Sequence, residues 1–117
     1  MIVSFDYDRT ISLEEVFDYA QRLTKSHRVV ITTQRPPLLH REVFKTAKRL
    51  GIGLNDIIFC GTRDKAEVLR DIDYAFHLDD KPIDAPRCVI LSDDFELHCN
   101  RLLDEHERAV KGLSRVR

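Results

Sequence analysis

The sequence predicts an α/β protein: a three-layer α/β/α sandwich of the Rossmann-like kind with a mostly parallel, five-stranded sheet. Five short apolar runs alternate along the chain with segments whose apolar residues recur at helical spacing. Parallel strands need crossover connections, and the helices that make them cover both faces of the sheet. The 117 residues are about the size of one domain, so residues 1–117 are expected to form a single domain with one core.

The first half of the chain predicts two strand–helix units. Residues 1–6, MIVSFD, form a short apolar run, and residues 28–33, RVVITT, are rich in β-branched residues, so both predict buried strands. Residues 12–15 have the Ser-x-x-Glu spacing of a capping box, which predicts a helix start. Pro36-Pro37 favours the opening of a second helix, and Gly51 is a natural end for it. The expected inner faces comprise Val16, Phe17, Ala20 and Leu23 in the first helix, and Leu39, Val43, Ala47 and Leu50 in the second.

The second half predicts three more strands and two helices. Residues 56–61, 74–80 and 88–93 are apolar runs of strand length, and the second of them ends in two acids. Thr62 is a plausible N-cap for a short helix after the first of these strands. A long helix follows the last strand and is expected to end at Gly112. Its expected inner face comprises Phe95, Cys99, Leu102, Leu103, His106 and Val110.

Composition excludes several classes of protein. The chain is 43% hydrophobic and 33% charged, which is typical of a globular domain rather than a disordered one. Its net charge of −1 gives no overall field that favours a membrane or nucleic acid. A local basic face is still compatible with this charge, so a nucleic-acid partner is possible but unsupported. No apolar run approaches the ~20 residues that span a bilayer, and the N-terminus lacks signal-peptide features. The three cysteines lack CxxC spacing, which suits a reducing cytoplasm.

Acidic side chains follow two of the predicted strands. Asp6 and Asp8 come at the end of the first strand, and Asp79 and Asp80 end the fourth. An isolated Asp-x-Asp is usually a solvated turn, but the carboxyl ends of parallel strands meet at one edge, where ligands bind. Four carboxylates there would repel one another unless a cation compensated them. Mg²⁺ prefers oxygen ligands of this kind, so the sequence predicts a magnesium site.

These residues carry a resemblance to a known family. Asp6-Tyr7-Asp8-Arg9-Thr10 is similar to the D-x-D-x-T signature of the haloacid dehalogenase-like phosphohydrolases, although Arg9 stands where glycine is most common. The family's second motif is a Thr or Ser that ends the second strand. Thr33 with Arg35 resembles a T-x-R variant of it, and a T-N-Q variant would select Thr32 instead. The first of these alignments is preferred.

The other two motifs of the family follow in order. Lys65, before the fourth strand, resembles the third motif, and Lys81 competes for the same cationic role. Asp79-Asp80 resembles the acidic pair of the fourth motif. Each motif alone is weak, but four in the right order on the right elements are fairly specific, and together they cover residues 1 to about 94.

The resemblance implies a reaction as well as a fold. Asp6 would be the nucleophile that forms an aspartyl-phosphate, and Asp8 the general acid and then the base, with its main-chain carbonyl in the metal shell. Thr33 would donate to the phosphoryl oxygens, and Lys65 would neutralise charge in the transition state. The remaining roles are Thr10, Thr32 and Arg35 on the substrate side, and Asp6, Asp8, Asp79 and Asp80 at Mg²⁺.

The spacing between motifs leaves no room for a cap domain. Only one helix separates Thr10 from the second strand, and only the short Lys65 helix separates the third strand from the fourth. The site is therefore expected to be open, which admits a bulky phosphorylated substrate or requires a partner to close it. The sequence does not identify the substrate, which could be a small molecule or a macromolecule, and it leaves the oligomeric state open.

Two other functions compete with a phosphatase. The first is an inactive domain of the same fold that binds a phosphorylated ligand or partner without turnover, although both aspartates of the signature are present. The second is the phosphorylation-receiver domain of a response regulator, whose phosphoacceptor aspartate ends the third strand. Here the third strand ends in FCGT, without an acid, so this interpretation ranks last.

Overall fold

Five parallel strands and four α-helices make up the computed structural model of the protein, which describes residues 1–115. The order along the chain is strand, helix, strand, helix, strand, helix, strand, strand and helix, with short π and 3₁₀ turns between. The strands are β1 (Ile2–Phe5), β2 (Arg28–Thr33), β3 (Ile57–Phe59), β4 (Tyr74–Asp79) and β5 (Cys88–Ile90). The helices are α1 (Glu14–Leu23), α2 (His40–Leu50), α3 (Lys65–Arg70) and α4 (Phe95–Arg115).

The sheet has the order β3-β2-β1-β4-β5, and every pair of neighbouring strands is parallel. The predicted α/β class is thus confirmed. Strands and helices do not alternate throughout, because residues 80–87 join β4 to β5 without a helix. This short connection suffices because β5 pairs only with the end of β4: Cys88 lies opposite His77, so the chain steps back by little more than two residues.

The main core lies on one face of the sheet. Strand residues at alternate positions, such as Val3, Phe5 and Phe76, point to this face and are fully buried. Tyr19 of α1 makes edge contacts with Phe5 and with Phe95 of α4, with ring centroids 6.2 and 5.6 Å apart. Helices α1, α2 and α4 therefore enclose one continuous apolar cluster with the sheet.

The opposite face is more polar and carries α3. Right-handed crossovers place a helix that leads from β3 back across to β4 on this side, and its Ala66, Val68 and Leu69 are buried outside the main cluster. Three strand residues on this face are polar and fully buried: Ser4, Thr32 and His77. The two faces of the sheet therefore differ in polarity as well as in the helices that pack on them.

Two predicted helix caps are wrong. Helix α1 begins at Glu14 with Leu13 as its N-cap, and Ser12 caps nothing because its Oγ accepts the N–H of Arg9, 3.1 Å away. Thr62 does not cap α3: Asp64 does, with its side chain accepting the N–H of Ala66. In both places a nearby polar group offers a better local hydrogen bond than the predicted one.

Several predicted boundaries also differ. Leu39 belongs to a 3₁₀ turn, Pro37–Leu39, ahead of α2, so it is half exposed rather than on the inner face. Gly112 does not end α4, which continues to Arg115, and Val110 is exposed. The third to fifth strands are shorter than the apolar runs, since each keeps only the residues that a neighbour pairs. Gly51 does end α2, with φ +84°, as predicted.

Two further expectations concern the described residues as a whole. Cys60, Cys88 and Cys99 are all free thiols, consistent with the absence of a disulfide framework. Within residues 1–115, no helix combines the length and the apolar character needed to cross a membrane. The expected single domain of residues 1–117 includes residues 116 and 117, which lie outside the described part of the chain.

Candidate functional site

The carboxyl ends of β1 and β4 meet in the middle of the sheet. These strands are direct neighbours, with Phe5 opposite Leu78, and the N–H of Asp6 donates to the Leu78 carbonyl at 2.9 Å. From β1 the chain proceeds to one side through β2 and β3, and then returns to the other side with β4. Such a reversal of strand order opens a crevice at the carboxyl edge. Asp6 and Asp79 therefore lie side by side at the point where a ligand is expected.

A tight turn follows Asp6 and folds the acidic loop back over the strand. The Ile11 N–H donates to the Asp6 carbonyl at 3.1 Å, which closes a π-type turn over Tyr7–Ile11. Within it, Arg9 adopts the left-handed conformation, with φ +58°. Glycine adopts this conformation without steric cost, whereas arginine does so at some cost. Thr10 is buried, and its hydroxyl donates to Asp6 Oδ2 at 3.3 Å.

Lys65 is the cation of this site. It is the first residue of α3, and its side chain turns inward, leaving the residue only 6% exposed. Its Nζ donates to Asp6 Oδ1 at 2.7 Å and to Asp79 Oδ2 at 3.0 Å. Lys81, the competing candidate, is exposed and reaches Asp79 through its main-chain N–H instead, at 3.1 Å from Oδ1. Of the two lysines, Lys65 bridges the acids.

One lysine cannot fully compensate two buried carboxylates. Burial raises the pKa of Asp6 to about 6, against the opposing hydrogen bond and charge of Lys65. For Asp79, burial also favours a higher pKa, but the His77 hydrogen bond and the Lys65 charge outweigh it and lower the pKa. Burial alone would lower the pKa of Lys65, but its hydrogen bond to Asp6 and the charges of both acids raise it. The site therefore holds more negative charge than its own lysine neutralises.

A third acid completes a group that could hold a metal ion. Carboxylate oxygens of Asp6, Asp79 and Asp80 all lie within 4.8 Å of one another. Hard oxygen donors at this spacing, with uncompensated negative charge, fit Mg²⁺. The carboxylate of Asp8 is not in this group, because it turns toward Arg35. The ligand expected from Asp8 is its main-chain carbonyl, and that expectation stays a prediction.

Arg35 clamps the side chain of Asp8. Its Nε lies 3.1 and 3.2 Å from the two carboxylate oxygens, and its Nη2 lies 3.0 Å from Oδ1. The guanidinium also bonds Glu42 and the Leu39 carbonyl, and it lies over the Tyr7 ring at 4.8 Å. The hydrogen bond from Arg35 to Asp8 raises the pKa of the guanidinium further. Bidentate pairing of this kind fixes the geometry of both partners.

The two threonines that end β2 point in different directions. Thr33 is fully buried, and its Oγ1 accepts the N–H of Arg35 at 3.1 Å, so it shapes the loop that carries Arg35. Thr32 lies beneath the sheet edge with its Oγ1 2.7 Å from Ser4 Oγ. Neither threonine is among the described residues that line the cavity at the rim. In this structure both threonine hydroxyls make internal hydrogen bonds, and their expected contacts with substrate stay a prediction.

A cavity of about 500 Å³ opens over the acids. Asp6, Asp8, Asp79 and Asp80 line its floor and sides, together with the side chains of the Arg35 loop and of residues 80–83. Its walls come from loops rather than from a separate domain, in line with the expectation of an uncapped site. Such a cavity has the volume of a small-molecule site.

Sequence reasoning missed two polar residues beneath the site. Ser4 Oγ lies 2.8 Å from His77 Nδ1, and His77 Nε2 lies 2.9 Å from Asp79 Oδ2. Both residues interrupt otherwise apolar strands, on the face that does not join the main core. A buried polar group requires a partner, so a serine and a histidine inside apolar runs were a signal that could have been followed.

The fold and the site together define an α/β protein with a lysine-bridged cluster of acids at the carboxyl edge of a parallel sheet. No protein-family model, curated protein or solved structure matches the chain.

Proposed function

We propose that the protein is a Mg²⁺-dependent phosphomonoester hydrolase of the haloacid dehalogenase-like type, without a cap domain. One observation carries the proposal: the Lys65 ammonium bridges Asp6 and Asp79 beside Asp80, at the carboxyl edge and under an open cavity. A cation next to a nucleophilic carboxylate and a pair of metal-binding acids is the set of groups that phosphoryl transfer needs. The order of the four motifs along the sequence supports the same conclusion.

Asp6 is the nucleophile of the proposed reaction. One of its oxygens attacks phosphorus, the bond from phosphorus to the ester oxygen breaks, and an aspartyl-phosphate forms on Asp6. Water then attacks this phosphorus, the acyl-phosphate bond to Asp6 breaks, and inorganic phosphate leaves. Lys65 bonds Asp6 and neutralises charge in both steps. Thr10 holds the second oxygen of Asp6 and so limits the rotation of the nucleophile.

Asp8 moves the protons of both steps. It gives a proton to the leaving ester oxygen in the first step and takes one from water in the second. Its side chain is 55% exposed and paired with Arg35, so a productive encounter requires that Arg35 release it. A substrate anion offers Arg35 an alternative partner, because guanidinium binds phosphate and carboxylate in the same bidentate manner. Binding of a substrate anion to Arg35 thereby releases the Asp8 carboxylate for proton transfer.

Asp6, Asp79 and Asp80 would hold the magnesium ion. When bound, Mg²⁺ would supply positive charge against the phosphoryl oxygens and orient them for in-line attack. The open cavity favours substrates that project a phosphomonoester from a larger body, whether a small molecule or a macromolecule.

An aryl phosphate assayed with Mg²⁺ tests the proposal, because its good leaving group makes weak hydrolysis visible. The wild-type protein is expected to release phosphate with Mg²⁺ and to stop in excess EDTA. Asp6→Asn should abolish release, since an amide does not attack phosphorus. Asp73→Asn is the matched control, because Asp73 precedes β4 and lies at the opposite edge of the sheet. Full activity in EDTA, or in Asp6→Asn, would contradict the proposal.

A second candidate function is favoured by the Arg35–Asp8 pair. An acid that is held by a bidentate arginine is not free to transfer protons, which suits a domain that binds a phosphorylated ligand without turnover. Calorimetric titration of a phosphomonoester discriminates the two functions. Binding with no release of phosphate, over hours and with Mg²⁺ present, would select the binding domain.

A further inference from the structure

A chain of hydrogen-bonded side chains runs beneath the site and ends on one of its acids. It connects Thr32 to Ser4 at 2.7 Å, Ser4 to His77 at 2.8 Å, and His77 to Asp79 at 2.9 Å. The first three residues are 0% exposed and Asp79 is 1% exposed. Burying four polar side chains is costly unless each is satisfied, and the proposed reaction uses only Asp79 among them.

The direction of these hydrogen bonds follows from the end at Asp79. An ionised carboxylate only accepts hydrogen bonds, so His77 Nε2 must donate to it. A neutral imidazole has one N–H, so a ring that donates from Nε2 leaves Nδ1 as an acceptor. Ser4 therefore donates its hydroxyl to Nδ1, and its own oxygen accepts from Thr32. Each polar atom that bonds within this series of four side chains therefore has one consistent role, as donor or as acceptor.

The consequence appears at the two oxygens of Asp79. Oδ2 accepts from both His77 Nε2 and Lys65 Nζ, at 2.9 and 3.0 Å. Among the described residues, Oδ1 accepts from the main-chain N–H of Lys81 and retains capacity for one more ligand. Lys65 has a long side chain with four carbon–carbon bonds that can rotate and is shared with Asp6, so it does not by itself define the plane of the Asp79 carboxylate. The rigid imidazole, held from behind by Ser4, does.

We propose that His77 is a positioning residue of this site: its Nε2–H fixes the rotation of the Asp79 carboxylate, so that Oδ2 faces inward and Oδ1 is presented to a divalent cation. The inference rests on the proposed function for the identity of that ligand. Groups behind a metal ligand commonly orient it in this way, and their loss costs roughly 10–100-fold in metal affinity or activity.

Three variants test the positioning role through the Mg²⁺ concentration that gives half of the rise in melting temperature. His77→Leu removes both hydrogen bonds and should raise this midpoint by roughly 10–100-fold, with a similar loss of kcat. His77→Gln places an amide N–H near the former Nε2 and should recover most of the affinity. Val30→Ala, a buried change on the same face of the sheet, should lower the melting temperature while leaving the Mg²⁺ midpoint unchanged. A wild-type midpoint in His77→Leu, or no recovery in His77→Gln, would overturn the proposal.

The state of the His77 ring is measured without metal or substrate. In ¹⁵N spectra of the metal-free wild-type protein at neutral pH, Nε2 should carry the proton and Nδ1 should not. Ser4→Ala should shift the Nδ1 resonance. It should also raise the Mg²⁺ midpoint by about fivefold, the change in an equilibrium constant expected from the loss of one ordinary hydrogen bond. A ring without a proton on Nε2 would overturn the proposal even if His77→Leu failed to fold. If the wild-type protein bound no Mg²⁺, the proposed function would fail separately, and the ring tautomer would still decide whether His77 donates to Asp79.

Discussion

At the scale of single residues, Lys65 is the side chain whose environment departs most from its sequence context. A lysine in the first turn of a short helix is ordinarily solvated and mildly opposes the helix dipole. Here it is buried between Asp6 and Asp79, where its charge is needed. The cost of this placement is compensated only while all three groups remain, because removing one partner of a buried ion pair leaves the others unpaired.

Substitution of the two lysines separates their roles. Lys65→Ala should reduce kcat by at least ~100-fold, as expected for the loss of one preorganised charge, and should destabilise the metal-free protein by about 3 kcal/mol. Lys81→Ala should change kcat by less than roughly tenfold, since the exposed side chain acts through KM and its salt dependence. Steady-state kinetics and urea unfolding measure both effects. The opposite order of kcat losses would assign the cationic role to Lys81.

Arg9 provides a test of backbone strain in the acidic turn. Its left-handed conformation disfavours side chains with a branched β-carbon. Arg9→Gly should relieve the steric cost in the folded state but increase the conformational entropy of the unfolded chain. Because these effects oppose each other, the free energy of unfolding should stay within about 1 kcal/mol of wild type. Arg9→Val should lie below the glycine variant by roughly 1–2 kcal/mol. Equal stability of the two variants, measured by urea unfolding, would show that the turn does not require this conformation.

At the scale of elements, helices and strands meet through turns that bury polar atoms. His27, in the turn between α1 and β2, packs against α4, with Nε2 3.9 Å from Glu107. Its Nδ1 is buried and has no hydrogen-bond partner among the described residues. Burial lowers the pKa of His27, the amino terminus lowers it further, and Glu107 opposes the shift. The folded protein therefore favours the neutral ring.

Protonation of His27 at low pH should lower the free energy of unfolding. Because the folded pKa lies below the ordinary value of 6.5, His27 contributes its full stability above that pH and loses it as the pH falls through and below 6.5. His27→Gln removes this titration. The free energy of unfolding of the wild-type protein should therefore fall relative to that of the variant between pH 7.5 and 5.5, both measured in EDTA. Parallel curves for the two proteins would contradict the assignment.

At the scale of the whole molecule, the excess negative charge at the rim predicts that cation binding stabilises the folded protein. Mg²⁺ that binds only the folded state should raise the melting temperature, by the equivalent of about 2.7 kcal/mol at 100 times its dissociation constant. Asp80→Asn should weaken this response without breaking the Lys65 bridge, whereas Asp73→Asn should not change it. Ca²⁺ should also stabilise the protein but support little hydrolysis, since its coordination is looser. Scanning calorimetry that showed no shift with Mg²⁺ would remove the metal from the proposal.

Much of this architecture could be predicted because its signals are local. The centres of all five strands follow from apolar runs, and the end of α2 from Gly51, because burial and backbone conformation leave marks in the sequence itself. Strand ends could not be predicted, since pairing with a neighbour decides them, as the short β5 illustrates. The caps of α1 and α3 depended on competition among adjacent polar groups, which spacing alone does not resolve.

For the site, the sequence predicts which acids converge but not which partners their side chains contact. Asp6, Asp79 and Asp80 converge because strand order brings their strands together, and the carboxyl-edge rule anticipates this. The rule does not give the direction of each side chain. It could not foresee that Asp8 would be paired with Arg35, or that Thr32 would bond Ser4 beneath the sheet. Such contacts join residues 27 or 28 positions apart, and only the assembled fold determines them.

The brevity of α3 has a consequence for the motions of the protein. Six residues are too few to form a stable helix alone, so the order of this segment depends on its buried apolar residues and on the grip of Lys65 on two carboxylates. A divalent cation bound at Asp79 Oδ1 would leave Lys65 on Oδ2, but its charge would repel the Lys65 ammonium and weaken that grip. The amide hydrogens of residues 65–70 should then exchange with solvent through local opening, well before those of the sheet. Cation binding at the acidic site could thus be followed by measuring the amide hydrogen exchange rate of α3 alone.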